Sequence, residues 1–445
     1  MSVRNWLSRA VLLPLSDQVF GRSINSKLNF LEKSQWWSLD QLEEYQNKRL
    51  RVLIHHAYHH VPYYRQIFDE RKLVPADIQT KADLIKLPIL SKSEFKANFP
   101  NGMTALNLKK GTYTKAASSG STGEPIQYLL SKEAYSMNIA AGLRAWSWMG
   151  FKLGDKYVKI SQNQRKTAEK RLQDLVMNDH YVYLKNIEQE GLLETISALQ
   201  KIQPKVLRCY PDPLEFLADL ILDRKLDVHL NAIASTGSNL HESARKKMEE
   251  AFHCKVFDGY SCEGSAPYFQ CEQNELYHGA MEYGIAEFVD VEEIETGVFR
   301  GKHIATNLWN FASPFIRYDS QDVLEWTNEP CSCGRQSHTV KRILGRENDI
   351  LVCRNGKKLI VQLFVIYFSK IKAIDQFQII QHSFDNIDFL FRVNKKYTNE
   401  IEEEIRAYWT NLIDDSSLKI SIRLVDEILP TKSGKRRFVI NKMKP

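Results

Sequence analysis

Between residues 206 and 258 short apolar runs alternate with helix-patterned stretches, and no other feature narrows the choice of fold as far. Residues 206–210 read as a strand. Pro211-Asp212-Pro213 breaks it, and a helix follows through Leu220. Two more short apolar runs, 231–237 and 255–258, flank a helical stretch at 241–252. Strands alternating with helices argue an α/β architecture. At 445 residues the chain is long enough for one large domain and a smaller one.

The character of the sequence shifts around Leu344-Gly345-Arg346. A hairpin-like piece at 350–360, with Asn355-Gly356 at its turn, opens a final segment with helix (401–413) and strand (419–425) patterns and a basic tail. The predicted division is therefore 1–345 and 346–445. Upstream, residues 40–60 carry Leu42, Tyr45, Leu50, Leu53, Ile54 and Ala57 at helical spacing, and Pro62 ends the run. Ser91 and Glu94 have the spacing of a helix capping box. His55, His56, His59 and His60 lack a nearby carboxylate or cysteine in sequence, which disfavours a metal site there; histidine is common near helix ends.

The balance of charge is +7, with a local cluster at Lys432–Arg437. This mild excess suits a site for anionic small molecules or a weak attraction to a membrane surface. No nucleic-acid module and no basic block interleaved with aromatics is evident. Seven unevenly spaced cysteines do not form a secreted disulfide framework, so a cytoplasmic setting is expected. No apolar run of about 18 residues is present to span a bilayer. The apolar stretch 6–15 is short and lacks a small-residue cleavage site. It reads as a helix packed on the body, with a membrane-surface anchor as the alternative.

The chemistry starts at Ser118-Ser119-Gly120-Ser121-Thr122-Gly123. Two glycines let the backbone bend tightly, and four hydroxyls add donors suited to phosphate. No Gly-Lys-Ser/Thr follows, so it is not a P-loop, and a plain surface turn would look similar. Four further pieces follow in order: Asp258-Gly259-Tyr260-Ser261-Cys262-Glu263, then Pro314 to Asp322, then Gly345-Arg346-Glu347-Asn348-Asp349, then Leu429 to Lys435. In this order they resemble the adenylate-forming superfamily of acyl- and aryl-CoA synthetases. The phenylacetate–CoA ligase-like branch, with its capsular-polysaccharide relatives, is the nearest fit. Val61-Pro62-Tyr63-Tyr64-Arg65, Leu87-Pro88-Ile89-Leu90 and Cys331-Ser332-Cys333-Gly334-Arg335 also resemble that branch.

The resemblance implies a large N-terminal domain of mixed sheets with packed helices, plus a small mobile α+β C-terminal domain. It implies that Ser118, Ser119, Gly120, Ser121, Thr122 and Gly123 hold ATP phosphates, with Gly259 and Tyr260 at the adenine and Asp322 on the ribose hydroxyls. Glu263 would bind Mg2+, and Lys435 would reach the reacting carboxylate and α-phosphate. The small domain would turn about the region from Arg346 to Asp349, and Arg346 is also expected among the residues that bind the nucleotide. Taken singly these residues have plain structural readings: a core aromatic, a helix-start charge, a turn residue, a solvated tail lysine. Three departures from the family pattern stand out. Gln321 replaces a glycine before Asp322, Asn348 replaces the hinge aspartate, and Ser238-Asn239 replace a common acidic position.

Cys271, His278, Cys331 and Cys333 offer three thiolates and one imidazole, a tetrahedral structural zinc set that also resembles one in some members of the branch. The implied reaction is ATP-dependent activation of a small-molecule carboxylate to an acyl- or aryl-AMP. Transfer to coenzyme A, or to a sugar, amine or carrier group, would follow in capsule or surface-polysaccharide synthesis. Two other readings stand beside it: a nucleotidyltransferase that leaves a stable AMP adduct, and a non-catalytic binding member. Trp146, Tyr210, Ser235, Gly237 and Gly259 flank the motifs and are candidates for the substrate pocket, while Trp146 and Trp148 also read as ordinary core.

Overall fold

The long amphipathic helix expected near the N-terminus runs Leu39–His60 in the computed structural model. Ser38 caps it reciprocally with Gln41, and Leu42, Leu50, Leu53, Ile54 and Ala57 are buried. Residues 2–118, 125–161, 168–184, 189–237, 240–262, 267–346, 351–354, 358–359, 361–368, 370–413, 418–429 and 437–443 are described. They fall into two compact units: residues 1–240, 245–320 and 324–343 in one, and 241–244, 321–323 and 344–445 in the other.

A two-stranded hairpin, β1 (Tyr113–Ala117) with β2 (Gln127–Ser131), precedes the main sheet. That sheet is built from β3 (Tyr157–Ser161), β4 (Asp179–Tyr183), β5 (Val206–Cys209), β6 (Ala232–Thr236) and β7 (Lys255–Tyr260). It continues through β8 (Tyr268–Gln270), β9 (Tyr277–Gly279), β10 (Gly284–Glu295), β11 (Val298–Asn307), β12 (Tyr318–Thr327) and β13 (Thr339–Arg346). The spatial order is β10-β11-β12-β13-β9-β8-β7-β6-β5-β3-β4. From β4 to β7 neighbours are parallel, and β7-β8, β8-β9 and β9-β13 are antiparallel. Strand β6 is buried along most of its length, as a parallel strand covered on both faces must be. Pro211 stands at the first position of the helix Pro211–Arg224, where its missing N–H costs nothing. The helix Glu242–Phe252 separates β6 from β7.

The capping box at Ser91 and Glu94 is formed, each closing on the other's backbone. Near the N-terminus, Val3–Leu7, a π-helical turn Ser8–Leu12 and Leu13–Phe20 follow in series. Asn5 donates to the Leu153 carbonyl at 3.1 Å and to Asp155 Oδ1 at 2.8 Å, and Leu13 is buried, so this segment packs on the body. Trp6, Leu15 and Val19 face outward. Among the described residues no helix is long and apolar enough to cross a membrane.

The second unit has a sheet of β16 (Ile374–Ser383), β17 (Asn386–Val393), β18 (Lys419–Leu424) and β19 (Val439–Asn441), ordered β18-β17-β16-β19. Its core joins the helices Val361–Phe368 and Asn399–Ile413 through Phe364, Phe368, Phe389, Phe391 and Trp409. The Phe364 and Trp409 rings stack at 4.2 Å. The short pair β14 (Leu351–Val352) and β15 (Lys358–Leu359) is antiparallel, as the hairpin pattern suggests; its Asn355-Gly356 turn lies outside the described residues.

Candidate active site and metal centre

Alternate residues of a strand point to one face. On one face of the parallel wing this places Thr236 and Gly259 in one row. Lys159, Arg208, Ala234 and Phe257 form the row behind it, and Tyr157 and Asp179 the row behind that. The helices Lys132–Trp148 and Ala168–Met177 also contribute to the wall, and together they enclose a cavity of about 310 Å3. The Thr236–Gly259 row sits at the carboxyl ends of β6 and β7, where open α/β sheets present ligands.

Three of the expected pocket residues, Trp146, Ser235 and Gly259, line this cavity. Trp146 is partly buried, packs against the main core with its ring stacked on Tyr157 at 4.8 Å, and also lines the cavity, so both readings of it hold. Trp148 is core, 7% exposed. Tyr210 and Gly237 are not in the lining; Gly237 takes a left-handed φ of 89° with the Tyr210 ring against it. Gly259 is held to glycine by close approach: a Cβ there would stand 2.8 Å from Phe269 Cδ1. Asp258 is buried and accepts from the Tyr277 hydroxyl at 2.9 Å. Burial raises its pKa, against the lowering pull of Arg245 and of hydrogen bonds.

Ser118 donates its N–H to the Ile126 carbonyl at 2.9 Å, and its Oγ accepts from the Ile126 N–H at 2.9 Å. These bonds fasten the base of the loop between β1 and β2. Ser119, Gly120, Ser121, Thr122 and Gly123 lie outside the described residues, as do Glu263 and Lys435. Tyr260 ends β7, with its ring 6.0 Å from those of Tyr268 and His303. Asp322 is buried within β12, and Gln321 before it has φ +62°. Arg346 closes β13, and its side chain is outside the described set.

The structure brings Cys271, His278, Cys331 and Cys333 together, with all four ligand atoms within 4.8 Å of one another. Cys271 follows β8, His278 lies in β9, and the Cys-Ser-Cys turn sits between β12 and β13, so the antiparallel wing assembles the set. Cys271 Sγ is 3.7 Å from Cys331 Sγ, and Cys333 Sγ is 3.3 Å from His278 Nε2. Sulfurs about 2.3 Å from one tetrahedral ion would be separated by about 3.7 Å, and a sulfur and an imidazole nitrogen by slightly less. His278 Nδ1 meets Ser337 Oγ at 3.1 Å, the kind of partner that orients a ligand imidazole. Burial, with the Arg335 and Arg144 charges, lowers the His278 pKa to about 4, so the ring is neutral as a ligand must be. Burial pushes the Cys271 thiol up to about 12. Among the described residues this is the one such group; the four histidines at 55–60 are not a second. His56 Nε2 instead meets the Phe311 carbonyl at 2.9 Å.

Sequence reasoning passed over Lys159, Arg208 and Gly142, which all line the cavity. They carry no motif, and only strand register shows that Lys159 and Arg208 are neighbours.

The CapK C-terminal domain family matches residues 351–442. Protein CapK of Staphylococcus aureus is 25% identical, over 98% of this chain and 97% of that protein. The phenylacetate–coenzyme A ligase of Thermus thermophilus is 24% identical, over 82% of this chain and 84% of that one. A crystal structure of 2-hydroxyisobutyryl-CoA ligase in the postadenylation state, in complex with R3-HIB-AMP, superposes with a TM-score of 0.72. Identity is 18%, over 92% of this chain and 91% of that one. The same enzyme with 2-HIB-AMP and CoA in its thioesterification state gives 0.60. With this fold and these relatives, the chain is homologous to Protein CapK and to phenylacetate–coenzyme A ligases, and it shares the fold of the 2-hydroxyisobutyryl-CoA ligase.

Proposed function

We propose that the protein activates a small carboxylic acid with ATP, forming an acyl- or aryl-AMP, and then transfers the acyl group to coenzyme A or to a sugar, amine or carrier acceptor. The observation that carries this is the cavity of about 310 Å3 lined by Thr236 and Gly259 at the carboxyl ends of β6 and β7. Its size falls within the range of small-molecule sites. A carboxylate oxygen attacks the α-phosphorus and pyrophosphate leaves. The enzyme's part is positioning and charge stabilisation. The loop from Ser118 to Gly123 holds phosphate, Tyr260 stacks on adenine, Asp322 accepts from the ribose and Lys435 neutralises charge at the α-phosphate. Glu263 holds magnesium, which when bound offsets phosphate charge. The acceptor's nucleophile then attacks the acyl carbon and releases AMP.

Zinc at Cys271, His278, Cys331 and Cys333 is structural on this reading, because four protein ligands leave no open position. The likeness to Protein CapK supports a role in capsule or surface-polysaccharide synthesis. Pyrophosphate exchange against aryl, aliphatic and amino acids, followed by product analysis with and without CoA, tests the reading. Exchange with at least one acid and release of free AMP are expected. A stable AMP adduct as the end product would move the protein to nucleotidyl transfer. No exchange and no ATP binding would overturn the reading.

A further inference from the structure

Val3–Leu7, the π-helical turn Ser8–Leu12 and Leu13–Phe20 form one continuous helical run. Its buried residues are Asn5, Ser8, Leu13 and Asp17, and three of these four are polar. Asn5 reaches the Leu153 carbonyl and Asp155, and Asp17 Oδ2 accepts from the Asn25 N–H at 2.7 Å. Ser8 lies against Gly154, where a Cβ would stand 2.8 Å from its Oγ. Leu13 and the partly buried Leu12 supply the apolar packing. Six residues of the run are exposed, Val3, Trp6, Ala10, Leu15, Gln18 and Val19, and Gln18 alone is polar. A surface helix of a globular protein normally shows the opposite arrangement, with its apolar stripe inside.

The π turn keeps the two faces apart. Leu13 donates its N–H to the Ser8 carbonyl, five residues back. The buried face steps five residues there, from Ser8 to Leu13, and so does the exposed face, from Ala10 to Leu15. Without the extra residue the second half of the run would be turned by about 100°, and the two faces would no longer line up.

The helix Ala168–Met177 packs alongside this turn and Leu13–Phe20, and its Leu175 carbonyl accepts from the Arg4 guanidinium. Leu172 and Leu175 are exposed, while Gln173 and Met177 of the same helix line the cavity. One helix therefore carries cavity wall on one side and outward leucines on the other.

Charge points to the occupant. Residues 2–34 hold five bases, Arg4, Arg9, Arg22, Lys27 and Lys33, and two acids, Asp17 and Glu32. Asp17 is turned inward, and Glu32 pairs with Arg9. A second copy of the chain docked on this face by two-fold symmetry would bring like charges together, whereas anionic lipid complements them. An indole such as that of Trp6 favours the boundary between headgroups and acyl chains.

We propose that this face seats the protein on an anionic lipid surface. The run Val3 to Phe20 lies in the plane of the interface, and Val3, Trp6, Leu15 and Val19 enter the acyl boundary with Leu172 and Leu175 beside them. Seating of this kind leaves the cavity about one helix diameter, 10–12 Å, from the lipid. It does not depend on which reaction the cavity carries.

The test is co-sedimentation of the full chain with phosphatidylcholine vesicles and with vesicles of about two parts phosphatidylcholine to one part phosphatidylglycerol, at about 0.1 M salt. Binding to the anionic vesicles is expected to be at least about tenfold stronger, and to weaken as salt rises. Trp6→Ser with Val19→Ser should lower it by at least about tenfold with an unchanged melting temperature, since both side chains stand outside the core. Leu172→Ser with Leu175→Ser should weaken it from the second helix. No binding, equal binding to the two kinds of vesicle, or binding unmoved by both pairs of substitutions overturns the proposal. A vesicle-free dimer in sedimentation velocity that Trp6→Ser with Val19→Ser abolishes would assign the face to a second copy instead.

Discussion

Cys271 Sγ stands 3.7 Å from Cys331 Sγ, although 60 residues separate them in the chain. A disulfide would bring the sulfurs to about 2.05 Å, and unrelated buried thiols have no reason to share a corner with a neutral imidazole. Purified protein is therefore expected to carry about one zinc per chain. Cys271→Ser, or prolonged chelation, should remove it and lower the melting temperature steeply. A zinc bound there would contribute on the order of 10 kcal/mol to its local fold. A zinc-free chain that melts at the same temperature would sink the assignment.

Arg144 Nη1 reaches Glu282 Oε1 at 2.8 Å with both side chains almost fully enclosed. Ser34 donates to the same oxygen at 2.5 Å. Removing one member leaves the other charge buried and uncompensated, so Arg144→Met should cost about 3–5 kcal/mol in denaturant unfolding. The double variant Arg144→Met, Glu282→Met should recover much of that loss. If the double variant is as unstable as the two single losses added together, the pair is not acting as a unit.

Lys435→Ala should lower pyrophosphate exchange by about 100-fold or more, if that lysine stabilises charge as the α-phosphate is attacked. Stability should barely change, since a residue acting only in the transition state adds little to the fold. An unaltered exchange rate would remove Lys435 from the proposed chemistry.

Three strands of the parallel wing, β5, β6 and β7, were legible as short apolar runs, with Pro211 and Pro213 marking the end of β5, whereas β3 and β4 carry polar residues and no breaker after them and gave no such signal. Helix starts at Ser38 and Ser91 follow from local chemistry alone. The antiparallel wing was not legible. Strands β8 and β9 are three residues each, too short for a period of two to register. The metal ligands were found as residue types at a suggestive spacing, but only the wing's pairing brings them into one shell. Arg208 and Lys159 lie 49 positions apart, and register alone makes them neighbours.

Gln321 holds φ at +62°, a region side chains with a Cβ enter at a cost of about 1–2 kcal/mol. The resemblance places glycine here in other members, and the backbone shows why. Gln321→Gly should raise stability relative to Gln321→Ala by about 1 kcal/mol, because alanine keeps the strain and loses the side chain. Both variants lose the glutamine contacts, so their difference isolates the backbone. Equal melting temperatures would show that the strand backbone relaxes freely at this point.

His303 is fully buried, and its surroundings define one protonation state. Ser320 Oγ donates to the His303 carbonyl at 2.8 Å, so its lone pairs face His303 Nδ1 at 3.2 Å and Nδ1 carries the proton. Nε2 has no hydrogen-bond partner among the described residues, and the rings of Tyr268, Tyr260 and Phe288 lie within about 6 Å of the imidazole. Protonating Nε2 would bury a charge among these rings, and burial lowers the pKa to about 3. The unfolded chain takes up that proton near pH 6.5 and the folded chain does not. Stability contributed by neutral His303 is therefore present above pH 6.5 and declines as pH falls toward 3, by up to about 1.4 kcal/mol per pH unit. Urea unfolding at successive pH values should show His303→Gln losing less stability than the parent between pH 6 and 4. Parallel curves for the two proteins would mean that His303 takes up its proton in the folded state as readily as in the unfolded one, and that the enclosure beside Tyr260 admits water.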